Sequence, residues 1–137
     1  MRIGVIGGGQ LARMLAQAGS PLGLALTSFD SAPDACAGSL APLTVGEFDD
    51  LHALVAFASR CELITFDFEN ASAVALARLA EVRPVRPNPR ALAVAQDRVQ
   101  EKTLFERLGV TVAPWWPIED AGTLAAAVDS GRFPAIL

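Results

Sequence analysis

Lysine is almost missing from this sequence: Lys102 stands alone among eleven basic residues, so any chemistry that needs a lysine has one candidate. Cysteine and histidine are nearly as scarce. Cys36 and Cys61 lack CxxC spacing, and the single histidine, His52, has no neighbouring ligand pattern. That excludes a structural zinc site and leaves two thiols expected to be free and buried. Long hydrophobic runs are absent as well: the stretch from Ala121 to Val128 is soon broken, well short of the ~20 residues a bilayer-spanning helix needs. The opening residues, MRIGVIGGG, show neither the apolar stretch nor the small-residue cleavage site of an export signal, so the protein is expected to be cytoplasmic. Positive charge is in deficit, with a net charge of -4 and a pI near 4.9. Such a balance opposes attraction to nucleic acid or to an anionic membrane, and neither is expected as a partner.

What the chain does have is apolar material: 52% of its 137 residues are hydrophobic and 19% are charged, enough to bury a core and offset the entropy of ordering it. Ile3, Val5 and Ile6 form a β-branched run that ends in glycines and predicts a buried strand. Leu11, Met14, Leu15 and Ala18 recur at helical spacing and predict a helix stopped by Gly19, Ser20 and Pro21. Residues 23–29 predict a second strand with Asp30 just past its end, and a short strand is expected at 43–45. Further along, a helix over 51–60, a strand over 63–68 ended by Glu69 and Asn70, a helix capped by Ser72, a strand over 82–85 and one longer helix over 91–108 follow in turn. Gly109 is placed to end that helix in the left-handed conformation. This alternation predicts an α/β fold, a Rossmann-like doubly wound and mainly parallel sheet covered on both faces. The expected domain is 1–109. Residues 110–137, with Pro114, Trp115, Trp116 and Pro117, a short helix over 124–128 and the closing run FPAIL, read as a linker and the start of a second, truncated domain.

Gly7, Gly9 and Ala12 satisfy the pattern GxGxxG/A between a predicted strand and a predicted helix, the context that a dinucleotide-binding turn requires. Asp30, about twenty residues on, lies where an acid binds a ribose hydroxyl in that fold. These residues alone point to an NAD(P)-binding Rossmann domain of an oxidoreductase. The alternative is that the glycines only permit close helix packing and that Asp30 is a solvated turn residue.

Further words occur in order: GGGQLARML at the loop, FDFEN at the end of the fourth predicted strand, then PNP, QDRVQEK and APW. Together they resemble the N-terminal part of the 5-(carboxyamino)imidazole ribonucleotide synthase family of ATP-grasp ligases, over nearly the whole chain. The related glycinamide ribonucleotide transformylases tend to carry GSGELG where this chain has GGGQLA. The resemblance implies a preliminary ATP-grasp domain in an enzyme of purine synthesis that uses ATP and bicarbonate to carboxylate 5-aminoimidazole ribonucleotide. It implies magnesium as a further cofactor, with ligands beyond Leu137, a homodimer for the full-length enzyme, and an inert fragment. By the same resemblance Gly8, Gly9, Gln10 and Leu11 form one wall of the ribonucleotide site. Glu69 and Asn70 belong to that site too, with Glu69 holding the substrate amine, and Arg98 and Lys102 contact ATP. Plainer roles stay open: Glu69 as a charge at a helix N-terminus, and Arg98 and Lys102 as a solvated array with Asp97 and Glu101. Two departures from the family pattern are Ala12, where a glycine is common, and Asp67, where Tyr or Glu is frequent.

Overall fold

The computed structural model describes residues 1–130 and 136. The run FPAIL therefore lies, Ile136 apart, outside the described residues. Two compact units are present, Met1–Gln96 and Asp97–Leu137.

In the first unit four strands, β1 (Arg2–Ile6), β2 (Ala25–Asp30), β3 (Leu43–Val45) and β4 (Leu63–Phe66), form one sheet in the order β3-β2-β1-β4. All three pairings are parallel, with Ile6 opposite Phe29 on one side and Phe66 on the other. A parallel sheet has both faces to cover, and the strand alternation supplies both. Ile6, Phe29 and Ile64 point to the side where Leu54, Phe57, Leu76, Leu79 and Val85 complete the larger core. Val5 and the half-buried Leu26 point to the other, where Ala12 and Ala37 close a smaller one. The residues expected to form a fifth strand over 82–85 contribute a single parallel bridge, Ile64 with Val85.

The helices of this unit are α1 (Gln10–Gly19), α2 (Leu51–Ser59), α3 (Ala73–Leu79) and α4 (Pro89–Ala95), the last three capped by the side chains of Asp50, Ser72 and Asn88. Helix α1 forms where its spacing places it, but it presents an unexpected side to the sheet. Leu11, Met14 and Leu15 are exposed, while Ala12, Ala16 and Gly19 are buried. Small residues let the helix axis approach the sheet closely: a Cβ on Gly19 would stand 2.6 Å from Leu26 Cδ1. Cys61 is buried as expected, and burial pushes its thiol above its ordinary pKa; Cys36 is exposed, contrary to expectation.

Ser28 is 1% exposed and its Oγ has no hydrogen-bond partner among the described residues. A buried polar atom left unpaired carries a desolvation cost of about 1–3 kcal/mol. Ser28→Ala is therefore expected to hold or raise the melting temperature, and a lowered one in a thermal melt would contradict this account.

The second unit holds α5 (Arg98–Arg107) and α6 (Ala121–Asp129). The single helix expected over 91–108 is thus two helices. Asp97 breaks it, because its carboxylate accepts from the backbone N–H groups of Val99 and Gln100 and so starts a new N-terminus. Gly109 takes the left-handed conformation, φ +73°, and Val110 N donates to Phe105 O across the helix end. Helix α6 starts earlier than expected, at a capping box in which Asp120 and Thr123 bond reciprocally.

Candidate functional site at the carboxyl ends of the strands

In an open parallel sheet, ligands bind outside the carboxyl ends of the strands where the winding reverses. Here that point lies between β1 and β4, and three chain segments meet there: Gly7 after β1, Asp30 at the end of β2 and Asp67 after β4. They border a cleft of about 300 Å3. Gly7, Gly9, Gln10 and Leu11 form its glycine-loop side, Asp30 and Asp67 its acidic side, and the rings of Phe48 and Phe68 its apolar side. Phe48 and Phe68 pack with ring centroids 5.2 Å apart, and Phe48 lies 6.2 Å from Phe29. The apolar wall therefore continues into the core, which fixes it.

The turn itself is held by carboxylates. Gly8 N donates to Asp30 Oδ2 at 2.6 Å, Ala32 N to Asp30 Oδ1 at 2.9 Å, and Ala12 N, in the first turn of α1, to Asp67 Oδ2 at 3.0 Å. Gly7 has φ +111°, a conformation that glycine adopts without steric cost. Burial pushes the Asp67 carboxyl above its ordinary pKa; the Ala12 and Asp67 N–H groups pull it back, and the charge of Asp30 adds to the rise.

The residues expected in the site are distributed unevenly. Gly9, Gln10 and Leu11 line the cleft. Gly8 is buried beneath it, with its N–H on Asp30 and its carbonyl accepting from Ala37 N at 2.9 Å. Glu69 and Asn70 are exposed and stand outside the residues that line the cleft. The backbone there is pinned by Gln96, whose Nε2 donates to the carbonyls of Glu69 and Ala71 at 2.5 and 2.8 Å. Arg98 and Lys102 lie on α5 in the second unit, where Arg98 pairs with Glu101. The sequence reading did not single out Phe48 or Phe68 and left the role of Asp67 undefined; the FDFEN word carried the signal for two of the three.

Among the described residues no cluster of three or more His, Cys, Asp or Glu is arranged to hold a metal ion, and no helix is long and apolar enough to cross a membrane. A roomier hollow of about 420 Å3 opens at the opposite end of the sheet, lined in part by Arg2, Arg60 and Arg83. Arg83 is occupied there in holding the end of α2, donating to the carbonyls of Ser59 and Cys61.

A parallel sheet of this order, with a glycine turn and an acid-lined cleft at its switch point, is an open α/β domain of the doubly wound kind, and residues 1–96 match the family described as the ribonucleotide synthetase preATP-grasp domain. The chain belongs to that family. Over all 137 residues it is 42% identical to the N5-carboxyaminoimidazole ribonucleotide synthase of Pseudomonas aeruginosa, of which it covers 38%. The crystal structure of N5-carboxyaminoimidazole ribonucleotide synthetase from Thermus thermophilus superposes with a TM-score of 0.89 at 46% identity, over 96% of this chain and 37% of that one. The Staphylococcus aureus synthetase complexed with ADP gives a TM-score of 0.88 at 31% identity, over 93% of this chain and 35% of that one. The chain thus spans less than two-fifths of the length of these relatives. None of these matches supports the NAD(P)-dependent oxidoreductase reading.

Proposed function

We propose that this chain is the N-terminal, ribonucleotide-binding part of an ATP-grasp ligase. That ligase carboxylates 5-aminoimidazole ribonucleotide with bicarbonate to give 5-(carboxyamino)imidazole ribonucleotide, ADP and phosphate in purine synthesis. The observation that carries the proposal is the match of all 137 residues with part of the Pseudomonas aeruginosa synthase. In the reaction a bicarbonate oxygen attacks the γ-phosphorus of ATP and releases ADP. The exocyclic amine then attacks the carboxyl carbon of carboxyphosphate, phosphate leaves, and the amine loses a proton. Magnesium would screen the phosphate charge during the first step; the described residues hold no ligand set for it.

This chain's part is binding and orientation. Gly9, Gln10 and Leu11 supply the wall against which the ribonucleotide rests, with Gly8 fixing the turn from beneath. Asp67 Oδ2 is engaged by Ala12 N, and a carboxylate has capacity for further donors. Its other oxygen is the acceptor for the substrate amine, a role that Glu69 and Asn70 at the exposed rim support from outside. Arg98 and Lys102 are assigned to ATP. The full-length enzyme is assigned to the cytoplasm as a homodimer.

A ligand that binds only the folded state stabilises it by about 2.7 kcal/mol at a hundred times its Kd. The ribonucleotide is accordingly expected to raise the melting temperature of the full-length enzyme. Saturable nicotinamide-nucleotide binding with no ribonucleotide effect would overturn the proposal. The 137-residue chain alone is expected to show no bicarbonate-dependent ATP hydrolysis above a buffer blank, and turnover abolished by a site substitution would contradict that.

A further inference from the structure

We propose that Asp30, together with Asp67, determines the ligand class of the glycine turn by engaging two of its amides, filling the space beside Gly7 and Gly8, and placing negative charge where a pyrophosphate would lie. A dinucleotide turn works because its backbone N–H groups point at the ligand and its glycines let phosphate oxygens come close. In this chain protein groups take two of the amides around the turn and part of the space beside it. Gly8 N is bonded to Asp30 Oδ2 at 2.6 Å and Ala12 N to Asp67 Oδ2 at 3.0 Å. The open volume beside the first glycine is filled too: a Cβ on Gly7 would fall 1.8 Å from Asp67 Oδ1, and one on Gly8 would fall 2.9 Å from Asp30 Cβ. Only Gly9, of the three, has nothing within 4 Å of that position.

The position of Asp30 is the one from which an acid grips the ribose of a bound dinucleotide. Here the same side chain turns inward, accepting from Gly8 N and Ala32 N, and ties the end of β2 to the turn after β1. Two carboxylates in a half-buried cleft repel a phosphate and attract groups that donate hydrogen bonds. The turn keeps the glycine spacing of a phosphate cradle and has the opposite preference. A ribonucleotide must therefore place its phosphate away from Gly7 and Gly8.

The inference depends on the loop geometry and not on which ribonucleotide binds, so its test reads separately from that of the proposed function. NADH fluorescence is titrated into the full-length enzyme with ADP at saturation to fill the nucleotide site. Wild type is expected to show no saturable change up to millimolar NADH. Asp30→Ala combined with Asp67→Ala frees both amides and removes both charges, and is expected to bind NADH at least about tenfold more tightly than the wild-type limit. Asp30→Asn with Asp67→Asn removes the charges but keeps acceptors on the amides, and is expected to gain less than the double alanine variant. Saturable NADH binding by the wild type overturns the inference without recourse to any variant. So does a folded double alanine variant, verified by its melting transition, that gains no affinity.

Discussion

Phe57→Ala is expected to destabilise the first unit by about 3–5 kcal/mol, the range for removing a large ring from a core that cannot collapse around the void. Phe57 is 1% exposed and packs on Phe29 with ring centroids 5.5 Å apart and planes tilted by 60°. Its edge also lies against β1, where a Cβ on Gly4 would meet Phe57 Cε1 at 2.8 Å. The ring therefore spans the space between α2 and two central strands, and neither backbone can move inward without breaking parallel pairing. Domains of this size are stable by about 5–15 kcal/mol in total, so the variant loses a large share of its margin. Urea unfolding followed by far-UV circular dichroism measures the difference. Val74→Ala, on the exposed side of α3 with 75% of the residue in solvent, serves as the control and is expected to change stability by less than about 0.5 kcal/mol.

The β1–turn–α1 unit was legible because three signals agree there: a β-branched run, glycines, and apolar residues at helical spacing. The side of α1 that meets the sheet was not. Sequence periodicity ranks Leu11, Met14 and Leu15 above Ala12, Ala16 and Gly19 as core residues, but close approach of a helix to a parallel sheet selects small residues. The break between α4 and α5 was hidden for a different reason. Residues 91–108 carry helical propensity throughout, and only the geometry shows that Asp97 spends its carboxylate on the amides ahead of it and not on solvent. In the site, the FDFEN word pointed to Glu69, whereas the residues of that word that line the cleft are Asp67 and Phe68. β4 ends at Phe66, two residues before the end expected from the sequence. Asp67 therefore stands directly at the strand end, facing α1, while Glu69 falls on the exposed stretch beyond. Strand ends are poorly fixed by composition, and a shift of two residues is enough to change which carboxylate lines the cleft.

Asp67→Asn in the full-length enzyme is expected to lower kcat/KM for the ribonucleotide by roughly 10- to 150-fold, the equivalent of one charge-assisted hydrogen bond of about 1.5–3 kcal/mol. The substitution keeps the volume and leaves an oxygen to accept from Ala12 N, so the turn retains its shape. Its effect on stability runs the other way. Burial raises the Asp67 pKa in the folded state above its unfolded value. The folded protein then binds more protons than the unfolded one between those two values, and stability falls as pH rises through that window. At neutral pH the ionised carboxylate is a net cost, and removing it should hold or raise the melting temperature while catalysis drops. The advantage of the asparagine variant should shrink as the pH is lowered through the window, where the wild-type carboxyl protonates. Glu69→Gln provides the comparison: an exposed carboxylate is screened by water, so a smaller loss, within about fivefold, is expected, with the melting temperature unchanged. Steady-state kinetics with varied ribonucleotide, run beside thermal melts across the acid range, separate the two residues. A larger catalytic loss for Glu69→Gln than for Asp67→Asn would place the substrate amine at the rim and not in the cleft.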